Sequence, residues 1–314
     1  MKAETNQVKK GGMNQRRRKR VLFYISIMIL PIIQFCIFYF GVNFNSILRA
    51  FRVYEIDYGR NVMTKTFSGF KNFGYAWDLL KNNLYVLKHT FLIYGVSLIV
   101  IQPLCMIFSY YIFKKKPLSG LFKVMLFLPH VVSGLVFALL FRYITENVYT
   151  VLFPGKEALL VNADTRLWTV IFFNMWLGFG GDLLLFSGAM SNVDDSILES
   201  AQLDGANMIQ EFLYIVFPGI FSTYKQLVVL GLAGIFGNQM SLMSLYGIHA
   251  DATRELSTIG MLLYVKTYYS GDILDAHNVS YGVLSAFGLM LTAVLVPTTL
   301  GVRKLLDKYG PSTV

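Results

Sequence analysis

Hydrophobic and polar residues are distributed along this chain in long blocks. Six apolar stretches, at about 21–42, 89–113, 121–144, 166–190, 217–240 and 281–303, dominate the pattern. A bilayer core of roughly 30 Å takes about 20 helical residues at 1.5 Å rise, so each block is long enough to span it. The pattern therefore predicts an all-α polytopic membrane protein with six transmembrane helices. Between the blocks lie a basic tail at 1–20, a long polar connection at 43–88, shorter ones at 145–165 and 241–280, and a tail at 304–314. Pro31 and Pro129 fall inside spans. Pro129 frees a backbone carbonyl in mid-span, so a neighbouring helix is expected to approach there.

The polar insert at 191–218 stands apart from the other connections. Its central part, Glu199 to Pro218, carries Glu199, Asp204 and Glu211 and no Lys or Arg. Val193, Ile197 and Ala201 recur every fourth residue, which predicts one apolar face of a short helix. Asn192, Asp194 and Ser196 are all suitable first residues, and Ser196 with Glu199 has capping-box spacing. Gly205 is free to turn without a Cβ penalty. Met208, Phe212, Leu213 and Val216 predict a second apolar stripe running to Pro218. The expected structure is a helix–turn–helix knuckle outside the bilayer.

Charge fixes the expected orientation. The chain is 55% hydrophobic and 15% charged, with a net charge of +10; a soluble domain would carry roughly 25% charged residues. Lys9, Lys10 and Arg16 to Arg20 precede the first span, Lys114-Lys115-Lys116 follow the second, and Arg303-Lys304 close the sixth. By the positive-inside rule these three clusters place both termini and the 191–218 insert in the cytoplasm, and 43–88 as an extracellular loop. That loop holds seven Lys or Arg, but charges far from span ends contribute little to orientation. A basic segment ahead of an apolar one also fits a signal peptide; the length of the run and the lack of small cleavage residues near Gly41 favour a retained anchor. This clustering argues against a nucleic-acid partner. Cys36 and Cys105 both lie in apolar runs, and His89, His130, His249 and His277 are scattered, so neither a disulfide framework nor a metal site is expected.

Glu199-Ser200-Ala201, Gly205, Ile215 and Phe217-Pro218 resemble the EAA motif of permease subunits of binding-protein-dependent ABC importers, with Ser200 for the second Ala and Phe217 for Leu. Asp204-Gly205-Ala206 and Phe212 are similar to the carbohydrate-uptake branch. Ser68-Gly69-Phe70-Lys71-Asn72-Phe73 looks like the segment that precedes the second span there, and Lys123 with Pro129 resembles the start of the third. The resemblance covers Lys88 to Arg303 and implies a type I ABC importer (MetI-like) transmembrane domain at 89–303, with 21–42 as an extra helix. It further implies half a pore in a bacterial cell membrane, completed by a second permease subunit. Two ATP-binding subunits, which would hold ATP and Mg, and an extracellular solute-binding protein are the other implied partners. The knuckle would be the coupling element, with Glu199, Ser200, Ala201, Asp204, Gly205 and Ala206 meeting the ATPase.

Chemistry inside the chain is sparse. The only Gly-Lys pair, Gly155-Lys156, lacks the remainder of a phosphate loop, and no nucleophile elbow or paired acids are visible, so the chain is not expected to be an enzyme. Asn174 and Gly178 share a face in the fourth span beside Leu177, and Gly234, Asn238 and Gln239 suggest a similar stripe in the fifth. The resemblance places the substrate path along Asn174, Leu177, Gly178, Gly234 and Asn238. Amides, with Trp176, Phe141 and Tyr143, suit a neutral carbohydrate, with an oligosaccharide as the expected solute; interhelical hydrogen bonding is the competing role for both asparagines. Asp182 is expected to be neutralised by water or Lys225, and Arg142 is the one strong cation near the path. An ion- or proton-coupled carrier, a membrane-embedded enzyme and an importer of a non-sugar solute are the alternatives.

Overall fold

The computed structural model describes residues 15–57, 62–247, 251–268 and 281–311. The first 14 residues of the basic tail and, in the 241–280 connection, residues 248–250 and 269–280, which include His249 and His277, lie outside that set. Among the described residues six helices are long and apolar enough to cross a membrane: Arg17–Ala50, Leu84–Phe113, Gly134–Leu152, Arg166–Met190, Met208–Ala233 and Tyr281–Tyr309. These are spans 1 to 6 below. The chain is a multi-pass membrane protein.

Several boundaries differ from those the apolar blocks suggest; span 2 starts at Leu84, span 3 ends at Leu152 and span 6 runs on to Tyr309. Span 1 continues past 42 to Ala50. The 43–88 connection then forms an antiparallel hairpin, Arg52–Asp57 against Val62–Phe67, with Arg52 opposite Phe67, followed by a helix at Lys71–Asn82. The hairpin, rich in the β-branched and aromatic residues that favour strands, is the exception to the all-α expectation. The block at 121–144 divides into a helix at Ser119–Val131 and span 3 proper. Val132 and Ser133 are extended, at ψ 146° and 125°, two residues beyond the Pro129–His130 pair. Span 5 begins nine residues early, inside the insert, because the second knuckle helix runs straight into it.

Asn72 explains why the segment before span 2 is built as it is. Its buried amide donates to the carbonyls of Ala50, at 2.9 Å, and Arg52, at 3.0 Å, satisfying backbone acceptors where span 1 ends and the hairpin begins. Span 6 starts against the same spot: a Cβ on Gly282 would lie 2.7 Å from the Arg52 carbonyl oxygen. Span 6 then packs on the last turns of span 1, on Lys71–Asn82 and on span 5.

Span 4 is the centre of the assembly. The second half of span 2, Gln102–Phe113, and the Ser119–Val131 helix both lie along it. A Cβ on Gly180 would sit 3.2 Å from the Leu126 carbonyl oxygen and 2.8 Å from His130 Cβ. Span 4 thus comes close to the helix that carries Pro129, with Gly180 at the point of nearest approach. Widened helical turns at Ser97–Ile101 and Phe212–Val216 come immediately before Pro103 and Pro218. Such turns accommodate a ring that would otherwise clash with the carbonyl four residues back.

Buried side chains gather in layers. One joins Cys105, Leu183, Phe186, Met190, Leu198, Val216 and Ile220 at the knuckle end. A second, around Phe137, Phe141, Phe173, Met240 and Leu242, occupies the opposite end.

Candidate functional site

The knuckle between spans 4 and 5 is made by three successive local devices. Asp194 caps the first helix, Asp195–Leu203, its carboxylate accepting from the Ser196 amide at 2.9 Å. That bond, more than any other influence, holds the exposed Asp194 carboxyl below the usual carboxylate range. The helix ends at Gly205, where φ is +82°. There the Ala206 amide donates to the Ala201 carbonyl at 2.9 Å and the Gly205 amide to Gln202 at 3.1 Å, the paired bonds of a Schellman ending. Asn207 opens the next helix: its Oδ1 accepts from the Ile209 and Gln210 amides, while Gln210 Oε1 accepts from the Asn207 amide at 2.9 Å. The capping box therefore lies at Asn207–Gln210 and not at Ser196–Glu199, where the Ser200 hydroxyl donates to the Ser196 carbonyl instead.

The apolar faces also differ from the fourfold pattern. Leu198 is the buried anchor of the first helix, Ala201 and Val193 are half-buried, and Ile197 is exposed. Glu199, Ser200, Asp204 and Gly205 are exposed and Ala206 half-buried. Leu203, 89% exposed, stands at the tip, with Ile209 and Tyr214 also exposed. The result is a protruding apolar tip edged by Glu199 and Asp204.

Glu211, at the root of the knuckle, is only 3% exposed. Its Oε1 pairs with the Lys114 ammonium and accepts from the Tyr110 hydroxyl at 3.0 Å, and its Oε2 accepts from the Gln202 amide at 3.1 Å. The Met208 carbonyl lies 3.2 Å from the same hydroxyl. Sequence reasoning noted Glu211 and Lys114 separately. The available signal was a lone acid on the inner stripe of the insert and a basic turn assigned to the same side of the membrane.

The residues singled out for a substrate path fall into two groups. Asn174 donates to the carbonyls of Val170 and Met240, both at 2.8 Å, and accepts from the Ser241 hydroxyl at 3.1 Å. Leu177 is half-buried beside it and Gly178 is exposed, with nothing within 4 Å of where its Cβ would be. Gly234 and Asn238 do not form a helical stripe. Span 5 ends at Ala233, Gly234 caps it, and Asn238 is extended at ψ 120°. Glycines at 231, 234 and 237 weaken the helix there, and the Thr258 hydroxyl donates to the Asn238 carbonyl at 2.5 Å. Both residues nevertheless line one cavity of about 110 Å³, with Thr90, Tyr94, Ser97 and Thr258. Its size is well below the roughly 300–1,000 Å³ of a complete ligand pocket.

Trp176 meets Phe137 edge-on at 5.1 Å, and Phe141 is buried against Phe173, whereas Tyr143 is exposed. Arg142 donates to Glu146 at 2.9 Å. Lys225 does not neutralise Asp182; it donates to Asp307 at 2.5 Å, tying span 5 to span 6. The titratable side chain that acts on Asp182 from the facing helix is His130, whose ring lies over Gly181 at 3.3 Å from where a Cβ would be. Among the described residues no group of three His, Cys, Asp or Glu side chains forms a metal site.

No family model matches the chain. It is 40% identical over 57 residues to the probable ABC transporter permease protein YesP of Bacillus subtilis, covering 18% of each chain. It is 25% identical over 148 residues to the arabinooligosaccharides transport system permease protein AraP of the same species, covering 47% of this chain and 44% of that one. The match thus spans less than half the length of these curated relatives. By structure, it resembles a chain of the bacterial alginate ABC transporter solved in complex with alginate pentasaccharide-bound periplasmic protein. The TM-score is 0.73 at 19% identity, over 96% of this chain and 100% of that one. The chain therefore has the fold of an ABC importer transmembrane subunit, and its relatives by sequence are permeases, in agreement with the family resemblance.

Proposed function

We propose that this chain is one membrane-spanning half of an ATP-driven importer for a neutral oligosaccharide. The observation that carries the reading is the helix–turn–helix between spans 4 and 5, an acid-edged apolar tip projecting from a fold otherwise adapted to lipid. Leu203, Ile209 and Tyr214 suit a cleft in a soluble partner, and the capped ends and Gly205 turn hold them in a fixed shape. Two ATP-binding subunits, carrying ATP and Mg, would take the knuckles of this chain and of a second permease subunit. A solute-binding protein outside the cell would deliver the sugar, as the alginate assembly contains a periplasmic protein with its pentasaccharide. Both termini and the knuckle then lie in the cytoplasm, consistent with the Lys114–Lys116 and Arg303–Lys304 clusters.

Mechanism follows from linkage. ATP binding closes the nucleotide subunits and shifts the knuckles. The loaded receptor and ATP must both favour the outward-open state for uptake to be coupled. The path runs past Asn174, Leu177 and Gly178 to the cavity at Gly234 and Asn238, a partial site that the second permease subunit completes. Asn174 Oδ1 keeps one lone pair beyond the Ser241 bond and Asn238 is among the residues lining the cavity, so both carry amide groups able to pair with sugar hydroxyls.

The test is reconstitution in proteoliposomes of the chain with the ATP-binding and permease subunits expressed alongside it. The reading expects co-purification of the ATPase, stimulation of ATP hydrolysis by the sugar-loaded receptor, and uptake of labelled oligosaccharide. Uptake by the isolated chain, driven by an ion gradient without ATP, would instead identify a coupled carrier.

A further inference from the structure

We infer that Glu211 is a positioning residue that joins the knuckle to the end of span 2, so that force on the knuckle reaches spans 2 and 4 together. The inference rests on the knuckle being the ATPase-docking element. By covalent connection alone, the knuckle is attached to span 4 through a turn at 191–194 and to span 5 through a continuous helix. A lever held only there would be free to pivot about its buried Leu198.

The Glu211 carboxylate removes that freedom by joining its own helix to two other elements at once. One oxygen takes Lys114 and Tyr110, both at the end of span 2; the other takes Gln202, on the first knuckle helix. The second half of span 2 in turn packs along span 4. A buried carboxylate is expensive unless paired and hydrogen-bonded, and here both oxygens are occupied. A well-packed hydrophobic residue often serves stability as well as a buried ion pair does. What the charge adds is a fixed register, since Lys114, Tyr110 and Gln202 meet at one carboxylate only when the knuckle is seated in one way.

The experiment uses the whole assembled transporter in nanodiscs and reads the ratio of receptor-stimulated to basal ATP hydrolysis, together with uptake per ATP. Glu211→Gln keeps the shape and loses the charge. The joint predicts a fall of about tenfold in both readouts, within the usual range of coupling energies, at an unchanged amount of assembled complex. Lys114→Glu alone should fall similarly, and the exchange Lys114→Glu with Glu211→Lys should recover part of the loss. A merely structural role would lower the amount of complex and leave the ratio alone; that result, or a Glu211→Gln ratio equal to wild type, or no recovery on exchange, overturns the inference. Should Glu211→Gln fail to assemble, Lys114→Met carries the same expected fall, and a wild-type ratio there overturns it equally. Failure of the importer reading looks different, because the unsubstituted protein would then show no receptor-stimulated hydrolysis.

Discussion

Asn174, midway along span 4, donates its amide to the carbonyl of Met240, 66 residues later and 2.8 Å away. Met240 and Ser241 both have positive φ, at 53° and 52°, and Asn174 holds the pair from both sides by accepting from Ser241 as well. One side chain thus fixes the strained turn that follows span 5, close to the cavity at Asn238, whose own Oδ1 accepts from the Met240 amide at 2.8 Å.

Replacing Asn174 with Ala should therefore destabilise the protein by about 1–3 kcal/mol, because the fully buried Met240 loses the partner of its carbonyl. Thermal unfolding in detergent would show it. A variant that melts like wild type while its apparent affinity for sugar falls would move Asn174 to direct solute contact alone.

At Gly205 the strain is conformational. A side chain meets nothing within 4 Å there, but φ is +82°, so Gly205→Ala should cost about 1–2 kcal/mol locally. Gly205→Trp adds bulk at the docking tip. Membrane insertion should survive while uptake and receptor-stimulated hydrolysis are lost together; survival of both activities would remove the knuckle from the coupling path.

Gly178 and Gly180 provide a matched pair of substitutions on one helix. Gly180→Ala drives a methyl to 2.8 Å from His130 Cβ and 3.2 Å from the Leu126 carbonyl oxygen, and should destabilise by about 1–3 kcal/mol through overpacking. Gly178→Ala enters open space and, by its better helix propensity, should raise the melting temperature slightly. Equal effects at the two positions would contradict the close approach of the Ser119–Val131 helix to span 4.

Lys225 and Asp307 are each partly exposed, a setting in which ion pairs contribute little. Lys225→Met should change stability negligibly and leave the neighbourhood of Asp182 untouched. A large loss with that variant would show that the charge serves Asp182 after all.

What the sequence revealed, and what it concealed, divides by range. Gly205, the caps near Asp194 and the positions of most apolar blocks were legible because each depends on a few adjacent residues. The grouping of Glu211 with Lys114 and Tyr110 was not, because it joins positions about a hundred residues apart. Asn72 was noticed within its segment, yet its task is defined by carbonyls at 50 and 52. Gly234 and Asn238 have i, i+4 spacing, which suggested a helix that the three glycines and Thr258 instead bring to an end. Water or Lys225 was the expected partner of Asp182, whereas His130 comes near it only because Gly180 and Gly181 let two helices nearly touch.

The widened turn at Phe212–Val216 gives the knuckle a phase as well as a shape. Buried positions run Glu211, Val216, Ile220, a step of five and then one of four, so the extra residue rotates everything beyond it by about 100° relative to an unbroken helix. Deleting a single residue there would let the turn close as ordinary α-helix with both buried faces kept, whereas narrowing it to α geometry at full length would turn the tip by about a quarter of a revolution. The angular setting between the knuckle and span 5 is thus written in the width of one turn.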